Sequence, residues 1–351
     1  MKQLKIILFA VVAVLLQLTA VGQTVSNVTF QQEGQIVKVY YNLSAKADIS
    51  VEVSTDGGRS YGTPRMTHVS GDVGKEVAAG NGKCIVWNVL QDCERLQGDR
   101  ICFKVRASSG GSNHTFTVGG VSFMMVYVEG GTFTMGCTSE QGGECDSDEK
   151  PSHGVTLSSY YIGETEVTQA LWKAVMGTEP TYNGGWTDKY GRGTNYPAYR
   201  VSYTDVETFI TRLNQKTGRT FRMPTEAEWE FAARGGKKSH GHTYSGSSSI
   251  GDVAWYDGNS GNKTHPVKQK LPNELGIYDM SGNVWEWCSD WLGSYSSGSQ
   301  TNPKGPSSGA FRVFRGGSWG SGARYFRVSL RYGFNPSYRS SIIGFRLVLV
   351  P

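Results

Sequence analysis

Forty-six of the 351 residues are glycine, about 13% where soluble proteins average about 7%. A backbone with that many residues free to adopt left-handed conformations turns often, so it cannot be built mainly from long helices or long strands. Side chains must hold such a chain together, and 12% aromatic residues, with 9 Trp among them, supply the apolar surface. The length suits two domains of ordinary size, and the composition excludes disorder and coiled coil. The formal charge is +5, from 35 basic and 30 acidic residues. The basic residues are scattered without a run, which argues against a nucleic-acid partner.

At the start, Lys2 and Lys5 precede an apolar run from Ile6 to Leu16, and Ala20-Val21-Gly22 places small residues where a signal peptidase reads. The expectation is a signal peptide over 1–22, cleaved before Gln23. Gln17 and Thr19 interrupt the run before it reaches the ~20 apolar residues of a membrane anchor. The mature chain is therefore expected to have no membrane span and to be secreted, periplasmic or at the cell surface, where disulfides persist. Of the six cysteines, Cys137 and Cys145 flank a glycine-rich acidic loop whose ends a disulfide would restrain. A zinc site from those two thiols and His153 would lack a second His at ligand spacing. Cys288, in an aromatic run, reads as a small buried apolar residue.

From Val25 to Val105 the sequence alternates with period two. Val37, Val39 and Tyr41 share one face, as do Ile49, Val51 and Val53, and Ile101, Phe103 and Val105. Asp56-Gly57 reads as a hairpin turn. Short strands at this spacing predict an immunoglobulin-like β-sandwich over 23–107, a spacer, docking module or folding aid. Residues 108–114, opening Ser-Ser-Gly-Gly-Ser, read as a linker. Over 115–351 the pattern changes to a few helices among many loops. Thr168 caps a helix beginning at Gln169, Thr204 to Lys216 is helical and stopped by Gly218, and Thr225 with Glu228 forms a capping box for a helix through Ala233. The fold class expected for this part is α+β. Two long segments, Gly177–Tyr199 and Lys237–Ser249, lack either period and read as recognition loops or plain surface.

Six blocks occur in order in the second part: MMVYVEGGTFTMG, YYIGETEVTQALWKAVMG, FRMPTEAEWEFAARGG, LPNELGIYDMSGNVWEW, FRVFRGGSW and IIGFRLV. This series resembles the formylglycine-generating enzyme, or sulfatase-modifying factor, domain family over about two thirds of the chain. The resemblance implies a C-type-lectin-like fold with little regular secondary structure. It also implies where the oxidase chemistry would lie: two cysteines after the GGS motif, which hold copper and oxidise a substrate cysteine. Those positions fall on Ser321 and Phe326, and no cysteine follows Cys288. A hydroxyl is a poor ligand for cuprous copper and a phenyl ring is none, so no copper is expected. Gly322 and Ile342 replace further pocket residues of the family, whereas Ser318, Trp285 and Tyr325 match. Related sulfoxide synthases hold iron through histidines of a preceding helical domain. His68 is the one histidine in residues 23–107, so that site is not expected.

The resemblance further implies a structural calcium ion held by the side chains of Asp279 and Glu286 and the carbonyls of Gly282 and Val284, hard oxygens that suit calcium. A second family site is degraded to Asn259 and Gly261, with Val253 at another of its positions. Arg315, Arg324, Arg327 and Arg331 surround the GGSW turn together with aromatic residues. Arg315, Arg327 and Arg346 sit inside the recurring blocks and read as buried groups satisfying loop carbonyls. Arg324 and Tyr325, with Trp285, Ser318 and Ser321, form the candidate ligand pocket for a protein or glycan. The functional expectation is a secreted, calcium-stabilised binding or structural protein on a catalytically degenerate domain. The alternatives are a formylglycine-generating or other metal-dependent oxidase of a protein or thiol substrate, and a component of a bacterial surface motility or secretion assembly.

Overall fold

A computed structural model describes residues 25–350 except Asp99, Ser109, Gly110 and Glu144. The expected signal peptide lies outside the described residues, as does part of the expected linker. The chain divides into two compact units, 1–110 and 111–351. Among the described residues no helix is long and apolar enough to cross a membrane.

The first unit contains strands β1 (Val25–Glu33), β2 (Ile36–Leu43), β3 (Ala47–Ser54), β4 (Val69–Gly71), β5 (Gly74–Val77), β6 (Gly80–Asn88) and β7 (Cys102–Ser108), with one helical turn, α1 (Val89–Asp92). They form two antiparallel sheets, ordered β1-β2-β6-β4 and β5-β3-β7. Period-two alternation buries Val37, Val39 and Tyr41 of the first sheet and Ile49, Val53, Phe103 and Val105 of the second in a single core. Trp87 and Phe30 meet Phe103 in that core, with ring centroids 6.1 and 5.0 Å away. Asp56-Gly57 is not a hairpin. Its carboxylate accepts the backbone N–H groups of Arg59 and Ser60 and orders a loop, while β3 pairs with β5 and the distant β7. The Asx chemistry of Asp56 therefore outweighs the local turn signal.

The second unit is α+β. Its strands are β8 (His114–Val118), β9 (Val121–Val128), β10 (Gly131–Met135), β11 (His153–Leu157), β12 (Tyr160–Gly163), β13 (Phe221–Arg222), β14 (Trp285–Trp291), β15 (Gln300–Thr301), β16 (Arg312–Arg315), β17 (Arg331–Phe334), β18 (Ile343–Gly344) and β19 (Val348–Leu349). Its helices are α2 (Gln169–Met176), α3 (Tyr203–Thr217), α4 (Glu226–Ala233) and the single turn α5 (Ile250–Val253). The sheets are ordered β13-β19-β12-β9-β8, β10-β11-β15 and β17-β16-β14-β18. Gly119 and Gly120, both at positive φ, close the β8–β9 hairpin, a conformation that glycine adopts without strain.

The helix ends follow from capping chemistry. Thr168 accepts the N–H of Leu171, and Thr225 and Glu228 satisfy each other's backbone donors, each cap contributing about 1 kcal/mol. Helix α3 begins one residue earlier than expected because Ser202 and Asp205 form its capping box. Trp172 of α2 stacks on Phe209 of α3, with centroids 5.3 Å apart, and Phe345 meets both rings edge-on. The aperiodic segment 177–199 is anchored rather than free: Trp186 is buried and donates Nε1–H to the Tyr199 carbonyl. Cys137 and Cys145 are joined by a disulfide, so their thiolates cannot hold zinc, and His153 packs on Tyr295. Cys288 is fully buried.

Candidate functional site

The Gly316-Gly317-Ser318-Trp319 turn follows β16 and has both glycines at positive φ. A Cβ on Gly317 would lie 2.7 Å from the Phe326 ring, so glycine is what lets the turn close over that side chain. Phe326 is wholly buried beneath the turn, where it faces Tyr256 edge-on. Ser318 is buried and Ser321 half-buried, and their hydroxyls meet at 3.0 Å. Trp319 donates its backbone N–H to the Asn283 carbonyl and its indole N–H to the Ser341 carbonyl, tying the turn to the segments before β14 and β18. Trp285 donates its backbone N–H to Ile342 and packs edge-on against Phe314, with centroids 4.8 Å apart. Tyr325 packs against the core that contains Trp285, and its hydroxyl accepts from the exposed Arg324 guanidinium at 3.0 Å.

The candidate pocket residues thus grade from buried Ser318 and Trp285 to exposed Arg324. They do not line either of two cavities, of about 500 and 370 Å³, found among the described residues. The larger cavity lies by Cys137, Glu140 and Arg234, and the smaller by Glu164, Glu166 and Lys268.

The expected calcium ligands occupy the stretch leading into β14. Asp279 is buried, with φ +57°, and its Oδ2 accepts the Lys268 N–H at 2.9 Å. Gly282, φ +101°, packs so closely on Trp255 that a Cβ would lie 2.7 Å from that residue's carbonyl oxygen. Val284 is buried. Glu286 is fully buried and already engaged: Oε1 accepts from Arg346 Nη2 at 2.7 Å, and Oε2 accepts from Arg346 Nε at 2.6 Å and Trp229 Nε1 at 2.7 Å. Of the weaker pair, Asn259 is bound to its own loop, accepting the Tyr256 N–H and donating to the Ala254 carbonyl, and Gly261 is exposed.

A third carboxylate belongs to this neighbourhood. Glu166, just before α2, is 1% exposed, and neither carboxylate oxygen has a hydrogen-bond partner. Burial, then the negative charges of Asp279 and Glu286, hold its carboxyl well above the usual range. Burial likewise raises Asp279 to about 6. Among the described residues Arg346 is the one guanidinium that offsets these groups, so buried carboxyl groups outnumber buried guanidiniums here. Sequence patterning did not mark Glu166, because its role depends on residues more than 100 positions away.

The arginines read as structural are so placed. Buried Arg315 donates to Glu226, Glu230 and the carbonyls of Val328 and Ser329. Arg327 forms a two-pronged pair with buried Glu149 at 2.9 and 2.6 Å. Arg331 is buried too, and forks onto Glu226 at 2.8 and 2.6 Å. Arg234 joins Glu230 to Glu140. Beside this network, burial and the Glu226 charge push Asp290 up to about 7.

Residues 121–350 match the sulfatase-modifying factor enzyme 1-like domain. The chain is similar to the chaperone protein LppX of Paenibacillus barcinonensis, 35% identical over 271 residues that span 65% of this chain and 90% of the relative. It is also similar to the formylglycine-generating enzyme of Streptomyces coelicolor, 30% identical over 284 residues spanning 63% and 87%. Among solved structures, Treponema denticola variable protein 1 superposes with a TM-score of 0.61 at 35% identity, covering 69% of this chain and 100% of that one. PvdO from Pseudomonas aeruginosa superposes with a TM-score of 0.54 at 30% identity, covering 64% and 94%.

Proposed function

Because the chain belongs to the sulfatase-modifying factor enzyme 1-like domain family, we propose that it keeps the family's scaffold for binding and has lost the copper–thiolate oxidation. The observation that carries this reading is Phe326, a phenyl ring buried under Gly317 at the position matched to one copper thiol, with the Ser321 hydroxyl at the other. Neither offers the soft anionic sulfur that stabilises cuprous ion. Two of the similar proteins carry names that denote a chaperone and a variable protein rather than an oxidase.

In this reading Arg324, Tyr325 and the Ser321 hydroxyl form a recognition face for an acidic peptide or a glycan, backed from within by the buried Ser318 and Trp285. The guanidinium supplies charge-assisted hydrogen bonds and the Tyr325 ring supplies stacking area. The two facing sheets of the first unit support an immunoglobulin-like sandwich acting as a spacer or docking module. The Cys137–Cys145 disulfide supports a secreted or periplasmic location. Calcium fits the charge balance near Asp279: an ion held there with the carbonyls of Gly282 and Val284 would offset the excess of buried carboxylate. Glu286 would contribute only what Arg346 and Trp229 leave of its lone pairs.

The test is direct. Copper-loaded protein incubated with a cysteine-containing sulfatase peptide should leave the cysteine unchanged by mass spectrometry. Copper-dependent formylglycine in that peptide would overturn the reading and favour the formylglycine-generating activity that the Streptomyces relative's name states.

A further inference from the structure

The glycine- and histidine-rich segment after α4 carries His240-Gly241-His242, with Gly241 at φ +72°. The turn at Gly241 brings both imidazoles to Glu274, more than 30 positions along the chain. His240 Nδ1 lies 3.7 Å and His242 Nε2 3.9 Å from Glu274 Oε1, and the two rings stand nearly perpendicular with centroids 5.9 Å apart. The potential ligand atoms of the three side chains all lie within 4.8 Å of one another, a grouping that no other three His, Cys, Asp or Glu side chains among the described residues show.

The carboxylate is prepared and the imidazoles are adjustable. The Glu274 side chain is only 10% exposed, and its Oε1 accepts the backbone N–H of His240 at 3.1 Å, which fixes its orientation. Its Oε2 is buried without a hydrogen-bond partner, closed in by Gly235, where a Cβ would lie 2.4 Å away. A buried carboxylate with an unmatched oxygen calls for a counter-charge. The histidine side chains are 72% and 33% exposed. Ligand atoms about 2.0–2.1 Å from a tetrahedral metal sit roughly 3.3 Å apart. The two histidine–carboxylate separations exceed that by about half an ångström, a gap that rotation of the imidazoles would close.

We propose that His240, His242 and Glu274 form a binding site for a divalent transition metal of the zinc class. His240 would ligate through Nδ1 and His242 through Nε2, with Glu274 completing the set and at least one position open to solvent. Imidazole nitrogen with one carboxylate favours zinc over calcium or magnesium, which prefer all-oxygen shells. The site is separate from the residues around Asp279 and does not rest on the binding role proposed above. Ser239, adjacent to His240, lines the cavity of about 500 Å³, so a metal here would sit beside that cleft.

The test is isothermal titration of the untagged full chain with zinc chloride, in excess calcium, with cobalt(II) absorption as a second readout. One zinc per chain is expected, and calcium should not displace it. His240→Ala, His242→Ala and Glu274→Gln should each weaken binding at least ~10-fold, while His68→Ala leaves the isotherm unchanged. His240 is exposed and His242 half-buried, neither belongs to a buried core cluster, and far-UV circular dichroism verifies that the variants stay folded. Absence of saturable zinc binding by the wild type overturns the proposal, as does a His240→Ala/His242→Ala double variant that binds zinc as well as the wild type.

Discussion

Two buried ion clusters in the second unit share a design and differ in balance. Around α4, the carboxylates of Glu226 and Glu230 meet the guanidiniums of Arg315, Arg331 and Arg234, and their oxygens accept one or more hydrogen bonds. Around Arg346, one guanidinium serves Glu286, while the unpartnered Glu166 is raised by burial and then by the charges of Asp279 and Glu286. In the first arrangement every carboxylate oxygen has a partner within the protein, and the one group left over is the buried Nε of Arg315. This arrangement works as architecture, replacing backbone ladders that a loop-rich fold lacks, and each charge makes removal of its partner costly. The second has more buried negative charge than the chain itself offsets, so protonation or a bound cation must supply the difference. Chemical incompleteness, rather than burial or charge alone, is what separates a candidate site from scaffolding here.

The largest effect expected from breaking this contrast is at Arg315. Arg315→Ala leaves Glu226, Glu230 and two carbonyls without a donor they now have, and should destabilise the second unit by about 3–5 kcal/mol. Chemical denaturation followed by tryptophan fluorescence measures it. A loss below about 1 kcal/mol would mean that the balanced network is no more than a set of surface-like pairs.

Next comes pH. Asp290 is raised from 3.8 to about 7, by burial first and then by the Glu226 charge. The folded state therefore holds this proton more tightly than the unfolded chain, and the stabilisation is fully present below about pH 4. It is lost as pH rises through 7, and each pH unit of the gap corresponds to about 1.4 kcal/mol. Thermal melts from pH 4 to 8 should show a decline of a few kcal/mol that Asp290→Asn flattens. An unchanged slope in that variant would assign the decline to other groups.

How much of this was legible in the sequence follows from the range of the interactions. The caps at Thr168 and Thr225, the alternation of Val37, Val39 and Tyr41, and the Cys137–Cys145 bridge are local patterns and could be read directly. Arg315, Arg327 and Arg346 could be assigned to the interior, but not their partners, since Arg327 and Glu149 are 178 positions apart. Glu166 lay inside a recognisable block and carried no signal of its own, because an orphaned carboxylate is defined by what fails to surround it. The segment 237–249 stands out as aperiodic, yet Glu274, which organises the two histidines His240 and His242, lies outside it. The Asp56-Gly57 misreading has the same origin: two residues specify a turn only when the strands they would join are partners.

Calcium tests the unbalanced cluster from outside. An ion binding only the folded state at 100 times its dissociation constant adds about 2.7 kcal/mol, several degrees in melting temperature. A chelator titration followed by calorimetry should lower the second-unit transition by that amount, and Asp279→Ala should abolish the difference while the first unit melts as before. A wild-type transition indifferent to chelator would leave protonation as the means by which this cluster is kept neutral.

The smallest effect is also the most discriminating, because it reverses the usual sign. Glu166→Gln keeps the shape of the side chain and puts a neutral amide in place of a carboxyl whose ionised form is opposed by burial, Asp279 and Glu286. In chelator at pH 8 the substitution should stabilise the second unit by about 1 kcal/mol, the amide losing the desolvation penalty that a buried carboxylate carries. With calcium present the gain should shrink, since the ion then offsets the same charge. Glu230→Gln, an identical change in the balanced cluster, should destabilise under both conditions, because Arg315 and Arg234 lose a charged acceptor. Opposite signs for the same chemical edit would establish that the two clusters differ in kind. Destabilisation by both would mean that Glu166 has a partner in solution and that its cluster is scaffolding as well.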